Sequence, residues 1–407
     1  MGPMERKGRA RRMESGGHET ADPTDPTDPS DATNRALRSG DDCRRACLST
    51  GAGGWLYSCF GGGLRMGTRF AEAGMVRLGM IGAGHFAKKH VEVIASLGDR
   101  VSLALVARRD VSTPFPEAEA LGAQVVSADA LLEDDSLEAV VVVAPNHLHR
   151  KYSEAALRAG KHVFCEKPLA MTVADADAVI AAANETERVL VVGHMTRYVP
   201  LYVAAAEVIS SGRIGPPVTA YVNRMNAGEG RWWRMNPEIG GGVVFDLLVH
   251  DFDLLRWYMG KARSVVARGH THAQGAYDQI AAIFAYKDGR TAVAEGGLYL
   301  RPPCGVRSTL RVVCTRGHIE LKRPQDDACI HVFEEGCEEV RLSVSPEHHG
   351  ADALLGEYSE FLDRIDGAAP ERLHLADARH AVACAEGIVK AADTAQEVEL
   401  GEPSRRK

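Results

Sequence analysis

Val76-Arg77-Leu78-Gly79-Met80-Ile81 runs directly into Gly82-Ala83-Gly84-His85-Phe86-Ala87, and this junction constrains the fold more than any other feature of the chain. The first six residues read as a buried strand. Phe86, His90, Val93, Ile94 and Leu97 then recur on one face of a helix, and Gly98 stands where a C-cap is expected. Gly82 permits the tight turn, Gly84 admits close approach of a pyrophosphate, and Ala87 is small enough for helix–strand packing. The N–H groups at the helix start, at His85 and Phe86, would meet the phosphate charge. Glycine patterns of this kind are common by chance. Standing between a strand and a helix, this one marks a dinucleotide-binding unit.

The strand Val101–Ala107 extends the pattern and ends at Arg108-Arg109-Asp110. An acidic residue at this strand end accepts the ribose 2′-hydroxyl of NAD. Arg108 and Arg109 suit a 2′-phosphate instead, so NADP is favoured over NAD. The competing reading makes both arginines solvated surface residues, with Asp110 reaching back to the ribose. Further on, Ala139–Val143 is an apolar run suited to a doubly covered parallel strand. Ala144, Pro145 and Asn146 end it, with Asn146 as the expected cap of a helix carrying Leu148, Tyr152, Ala155 and Ala156 and stopped by Gly160. A short strand His162–Cys165 then delivers Glu166-Lys167-Pro168 at its carboxyl end, where ligands bind in such sheets. A cis peptide would be one way to hold Lys167-Pro168 rigid. Thr172 and Asp175 form a capping-box-like start to the next helix.

Length and charge bound the rest. The 407 residues suffice for two domains with substantial cores. The net charge of −7 supplies no concentrated basic surface for nucleic acid. No apolar run reaches the roughly 18 residues of a membrane-spanning helix. Nine cysteines contain no C-x-x-C pair, which points to free thiols in a reducing compartment and no metal site. Residues 1–74 differ in kind. Arginine clusters, the Asp22–Pro29 repeat and glycine-rich residues 51–63 read as a disordered or artefactual extension, with Met75 as an alternative start. Arg44-Arg45 and Ala71-Glu72-Ala73 leave a twin-arginine export signal as the alternative to a cytoplasmic protein.

The later half offers a second set of candidates. Arg197, Tyr198, Trp232 and Arg234 precede Gly240-Gly241-Gly242, and a helix follows from Val243 to Tyr258. Asp246, His250 and Asp253 share one face of it at i, i+4 and i+7. From Ala262 to about Val344 short alternating runs predict an antiparallel sheet, with a hairpin turn at Lys287–Arg290. Two late helices, Leu354–Ile365 and Asp377–Ala392, are expected to pack back onto that sheet.

These blocks together resemble the glucose–fructose oxidoreductase and inositol dehydrogenase family (Gfo/Idh/MocA type). The resemblance runs from Val76 to about Leu400. It rests on Gly82–Ala87, Ala144–His149, Gly160–Leu169 and the glycine-led block at 240–242. It implies an α/β architecture: an N-terminal Rossmann doubly wound parallel sheet over residues 75–196, and over 197–400 a C-terminal α+β domain with a large open, mostly antiparallel sheet. That second domain would bind substrate and join subunits into a homodimer or homotetramer. The family's catalytic aspartate and histidine fall on Asp246 and His250, and its lysine on Lys167. Gly82, Gly84, His85, Phe86, Ala87, Arg108, Arg109, Ala144, Pro145, Asn146, His149, Glu166 and Lys167 are the expected cofactor contacts. Arg197, Tyr198, Trp232, Arg234, Asp246 and His250 are those for a sugar, cyclitol or polyol. Oxidising a secondary alcohol requires removal of its hydroxyl proton as hydride leaves its carbon, and histidine is suited to that task near neutral pH. A non-catalytic NAD(P)-binding regulator and a cofactor-recycling glycoside-cleaving enzyme are the alternatives on the same fold.

Overall fold

The computed structural model describes residues 74–227, 232–300, 304–323, 329–343, 351–367 and 372–401. The extension read from residues 1–74 therefore lies outside the described residues, apart from Gly74.

Six parallel strands form the first sheet: β1 (Val76–Ile81), β2 (Val101–Ala107), β3 (Gln124–Val126), β4 (Ala139–Val142), β5 (His162–Glu166) and β6 (Leu190–Gly193). Their order, β3-β2-β1-β4-β5-β6, reverses between β1 and β4. Doubly wound sheets open their ligand crevice there, outside the strand carboxyl ends. Helices α1 (His85–Ser96), α2 (Pro116–Glu119), α3 (Ala128–Glu133), α4 (His149–Arg158) and α5 (Val173–Thr186) make the crossovers. Every residue of β4 is buried, as a strand covered on both faces requires. Gly98 follows α1 with φ +60°, and the Thr172 hydroxyl accepts the Asp175 N–H at 3.1 Å to start α5, both as the sequence predicts. Asn146 departs from expectation. Its side chain does not cap α4 but donates to the Gly240 carbonyl at 2.9 Å, and a short 3₁₀ turn over Asn146–Leu148 leads into the helix.

After helix α6 (Pro200–Ser210) comes β7 (Pro217–Ala227), the middle strand of a second sheet. A helix follows, whose regular part is α7 (Val249–Met259). The other strands are β8 (Ser264–Thr271), β9 (Tyr277–Ala285), β10 (Thr291–Leu300), β11 (Arg307–Cys314), β12 (Gly317–Arg323), β13 (Cys329–Glu334), β14 (Val340–Ser343) and β15 (Val398–Glu399). The nine strands run β14-β13-β12-β11-β7-β10-β9-β8-β15, and only β7 and β10 pair in parallel. Lys287–Arg290 makes the expected turn, with Gly289 at φ +85°. One face of this sheet buries Val222, Ile280, Phe284 and Val312 beneath the helices. The other leaves Val266, Ile283 and Tyr299 exposed.

Two departures matter for the site. The helix predicted from Val243 begins with a π-helical turn at Val244–Leu248 before α7 settles into regular geometry. Single π turns inside helices recur at functional sites. The late helices α8 (Ala351–Ile365) and α9 (Leu375–Thr394) also behave differently from expectation. α8 buries Leu354, Tyr358, Phe361 and Leu362 with Val76, Leu78 and Phe164, so it packs on the dinucleotide half and not on the large sheet. α9 serves both: Cys384 and Ile388 enter the large-sheet core, and Ala378 and Val382 enter the other. Cys165, Cys304, Cys314 and Cys384 are free thiols.

Two buried guanidinium–carboxylate pairs fasten α7. Arg197 holds both oxygens of Asp253 at 2.8 Å and reaches Asp377 at 3.0 Å. Arg224 holds Asp251 at 2.6 and 2.9 Å. Removing one member of a buried pair leaves the other charge without compensation. Arg197→Ala is therefore expected to destabilise the fold by about 3–5 kcal/mol in urea unfolding. A loss under about 1 kcal/mol, the range of exposed pairs, would show that the pair does not anchor the helix.

Candidate active site

At the end of β1, Gly82 adopts φ +118° and donates its N–H to the Ala107 carbonyl at 3.0 Å. A Cβ there would collide with the Val143 carbonyl, so glycine is required. Gly84 has open space where a Cβ would stand. The first turn of α1 holds no acidic residue and has no side-chain cap, and His85 and Phe86 are exposed. Ala87 is fully buried beneath them. Free N–H groups, an accessible backbone and no competing carboxylate fit the pyrophosphate of a dinucleotide.

Beyond β2, Arg108 Nη1 donates to the carbonyls of Thr113 at 3.0 Å and Pro114 at 2.7 Å, and Arg109 is exposed. Asp110 is closed onto its own loop. Its carboxylate accepts the Ser112 hydroxyl at 2.6 Å, the Thr113 hydroxyl at 2.7 Å and the Ser112 N–H at 3.0 Å. These bonds, the Ser112 hydroxyl first, hold its carboxyl below the usual carboxylate range.

The chemical end forms where β5 meets the π turn. The peptide Lys167-Pro168 is cis. Lys167 Nζ donates to the main-chain carbonyl of Asp246 at 2.7 Å and lies 3.9 Å from Asp246 Oδ1. Arg234 Nε stands 3.2 Å from Asp246 Oδ2. Two cations thus flank one buried carboxylate. Arg234 lies in the short turn Trp232–Met235, and the Trp232 side chain lies outside the described residues. His250 follows on the helix, partly buried, with its Nδ1 enclosed and without a hydrogen-bond partner among the described residues. Burial first, then the charge of Lys167, Arg224 and His194, pushes this imidazole well below its ordinary value of 6.5. It is a neutral ring at pH 7 and can accept a proton. No hydrogen bond joins Asp246 to His250 among the described residues, and the carboxylate turns to Lys167 and Arg234.

Several expected contacts are taken up internally. Arg197, placed on the substrate by the sequence, is 2% exposed and bound to Asp253 and Asp377. The Tyr198 hydroxyl donates to Glu360. His149, expected at the cofactor, is 1% exposed, with Nδ1 2.6 Å from the Pro168 carbonyl and Nε2 2.8 Å from that of Ala144. It clamps the loops after β4 and β5 together. Glu166 lies 3.1 Å from His90 Nε2, whose Nδ1 lies 2.8 Å from the Tyr358 hydroxyl. Ala144 and Pro145 remain at the crevice, Pro145 exposed. The sequence reading gave no role to His194 and Asp251, and it placed His90 on the face of α1 and Arg224 between the two halves without foreseeing their buried partners. His250, Asp251 and Asp253, three polar residues within four positions of a largely apolar helix, were the available signal that several faces are buried.

The fold and the site define an oxidoreductase with an NAD-binding Rossmann domain. A family model described as "Oxidoreductase family, NAD-binding Rossmann fold" matches residues 76–194, and the Gfo/Idh/MocA C-terminal domain matches residues 202–320. The chain belongs to the Gfo/Idh/MocA family. It is 37% identical over 206 residues to 1,5-anhydro-D-fructose reductase of Ensifer adhaerens, covering 49% of this chain and 62% of that protein, a little under two thirds. To myo-inositol 2-dehydrogenase of Thermotoga maritima it is 24% identical over 337 residues, covering 80% and 99%. Among solved structures, GenD2 from gentamicin A biosynthesis in complex with NAD is similar with TM-score 0.72 and 25% identity, covering 81% of this chain and 97% of that one. Levoglucosan dehydrogenase in complex with NADH shares the fold with TM-score 0.72 at 20% identity, covering 81% and 100%. Among the described residues no helix is long and apolar enough to cross a membrane, and no cluster of His, Cys, Asp or Glu could hold a metal.

The depressed imidazoles give the site a pH signature. His250, His194 and His149 are all held below the ordinary value, by burial first. The unfolded chain then binds their protons more tightly than the folded one, so stability is full above about pH 6.5 and falls as pH drops below it. The urea midpoint should decline between about pH 6.5 and 5, and His250→Gln should flatten that decline. A midpoint constant across this window contradicts the assignment.

Proposed function

We propose that the chain transfers a hydride between a secondary alcohol of a sugar, cyclitol or related polyol and the nicotinamide of NADP or NAD. The carrying observation is the assembly of Lys167, Arg234 and Asp246 beside the neutral His250 at the carboxyl end of β5. The bound nicotinamide supplies the hydride acceptor. His250 takes the hydroxyl proton at Nε2, since its Nδ1 is enclosed. Lys167 stabilises the developing alkoxide, and Asp246, aimed by Arg234, orients the alcohol. The relatives' names support this substrate class: inositol dehydrogenases and an anhydrofructose reductase.

For the cofactor, Arg108 and Arg109 at the β2 end favour the 2′-phosphate of NADP, and Asp110, turned onto its own loop, is poorly placed for a ribose. NAD is the competing cofactor, present with GenD2. The sheet face exposing Val266 and Ile283 fits subunit association into a homodimer or homotetramer.

A panel of polyols and sugars with each nicotinamide tests the reading; failure of every alcohol despite tight cofactor binding favours a regulator. His250→Ala is expected to lower kcat by about 10²–10⁴-fold with cofactor affinity unchanged, and an unaltered kcat rejects its role. Arg108→Asp should move the kcat/KM ratio from NADP towards NAD. A ratio that stays put removes Arg108 from cofactor choice.

A further inference from the structure

Arg234 and Asp246 close a loop of the chain onto itself, with Arg234 Nε 3.2 Å from Asp246 Oδ2. Gly240 stands midway between them in the sequence. A Cβ on Gly240 would lie 2.5 Å from Arg234 Cα and 2.7 Å from the Trp233 carbonyl oxygen, so the two stretches of backbone touch and only glycine allows it. One acceptor knits the loop together. The Asn236 carbonyl takes the N–H of Ile239 at 3.2 Å, of Gly240 at 3.0 Å and of Gly241 at 3.0 Å. From the side of the large sheet, the Ala276 N–H donates to the Met235 carbonyl at 3.0 Å. The backbone of Arg234 is therefore set before its guanidinium meets Asp246.

A side chain of the dinucleotide half holds this loop at its midpoint. Asn146 is 6% exposed, and its Nδ2 donates to the Gly240 carbonyl at 2.9 Å. A carbonyl oxygen only accepts, so the amide nitrogen has to be the atom that faces it. Beside this bond, the His147 N–H donates to the Ile239 carbonyl at 3.3 Å. Asn146 follows Ala144 and Pro145 beyond the carboxyl end of β4, and β4 lies next to β1, where the strand order reverses. A dinucleotide enters a doubly wound sheet at that place. The sequence reading made Asn146 a cofactor contact, yet its amide nitrogen is committed to the substrate half. Gly240 is itself buried, so its carbonyl would be left unmatched without that donor.

We propose, resting on the oxidoreductase reading above, that Asn146 is a positioning residue coupling the cofactor crevice to the substrate side: through the Gly240 carbonyl it sets Arg234 against Asp246. A dinucleotide packed against Ala144 and Pro145 fixes their loop, the loop fixes Gly240, and Gly240 fixes the backbone of Arg234. The guanidinium then holds the Asp246 carboxylate in the orientation that meets the alcohol, in register with Lys167 on the Asp246 carbonyl. Asn146 itself carries neither proton nor hydride. Without its amide the loop shifts to find another donor, and Arg234 shares the shift because the two backbones are in contact. The steps of the reaction stay the same; the geometry in which they occur is lost. Cofactor and alcohol therefore bind with positive coupling, each favouring the loop setting that the other needs.

Asn146→Leu keeps the size of the side chain and removes the donor, and Asn146→Ala guards against a packing fault peculiar to leucine. In the full chain, with NAD or NADP and myo-inositol as the probe alcohol, both variants should lower kcat/KM for the alcohol by roughly tenfold to a hundredfold, with binary cofactor affinity at the parental value. In an Arg234→Gln background the same substitutions should cost less than about twofold more, since residues acting through one contact are non-additive. Trp233, whose ring lies 5.8 Å from the Arg234 guanidinium, gives a readout independent of turnover. Cofactor binding should change a tryptophan fluorescence signal that Trp233→Phe removes, and Asn146→Leu should abolish that change with the cofactor still bound. Parental kcat/KM in both variants overturns the proposal, as do full additivity with Arg234→Gln, a fall in urea midpoint alone, or a Trp233 signal absent from the parent or unaltered in the variants. A parent that binds cofactor but oxidises no alcohol of the panel removes the oxidoreductase reading instead, and the Trp233 signal then decides the coupling. One that binds neither nicotinamide overturns both.

Discussion

One hydrogen bond, from Lys167 Nζ to the main-chain carbonyl of Asp246 at 2.7 Å, joins the two halves of the molecule at the point of chemistry. The lysine follows the carboxyl end of β5, and the carbonyl belongs to the π turn ahead of α7. A bond from an ammonium is roughly twice as strong as one between neutral groups, so it can fix the spacing between the end of β5 and the π turn ahead of α7. The surroundings make it feasible. Gly241 and Gly242, at φ +74° and +65°, bring the chain into the helix. A side chain at Gly242 would strike the Tyr277 carbonyl, so the approach depends on glycine.

The helix beyond that bond carries three buried carboxylates, and each has its own cation. Asp246 faces Lys167 and Arg234, Asp251 faces Arg224, and Asp253 faces Arg197. Burying a carboxylate is costly unless it is paired and hydrogen-bonded. Three such pairs, pointing in different directions, leave the helix little freedom to rotate about its axis. His250 is the polar residue of this stretch left without a hydrogen-bond partner among the described residues. The pairs therefore do more than stabilise: they fix the rotation of the helix that carries an uncommitted, neutral imidazole. This ordering of charged neighbours also explains why its proton affinity is low, since cations and burial act on it together.

Strands β1 and β2 were legible to the residue because largely apolar runs, interrupted only near their starts by Arg77 and Ser102 and ended by Gly82 and Arg108, admit little else. The glycine cradle was legible for the same reason, its steric demands being local. Arg197 and Tyr198 were misplaced because their partners, Asp253, Asp377 and Glu360, lie 56 or more residues away, and no local pattern reports such pairing. The π turn was invisible, since Val244–Leu248 has the apolar spacing of an ordinary helix. The buried acid Glu357 of α8 did leave a trace. It occupies i+3 from Leu354 and precedes Tyr358, so a carboxylate sits within the apolar face of α8, where only a buried and unusual acid belongs.

The packing of α8 on the dinucleotide half ties the two ends of the crevice into one continuous structure. Its Tyr358 stacks on Phe164 of β5 with ring centroids 4.9 Å apart and reaches His90 of α1. His90 in turn meets Glu166, whose carboxylate also accepts the Lys167 N–H at 3.2 Å. The helix whose first turn forms the phosphate cradle is thus bound, through one imidazole and one carboxylate, to the residue before the site lysine. Close-packed interiors transmit displacement poorly absorbed elsewhere, so moving α1 by a fraction of an ångström must strain Glu166 or move Lys167. Hydride transfer depends on holding reacting atoms within a narrow distance. If the first turn of α1 binds the cofactor's phosphates as proposed, the framework that holds them is the one that sets Lys167, and that spacing does not depend on how the exposed loops move.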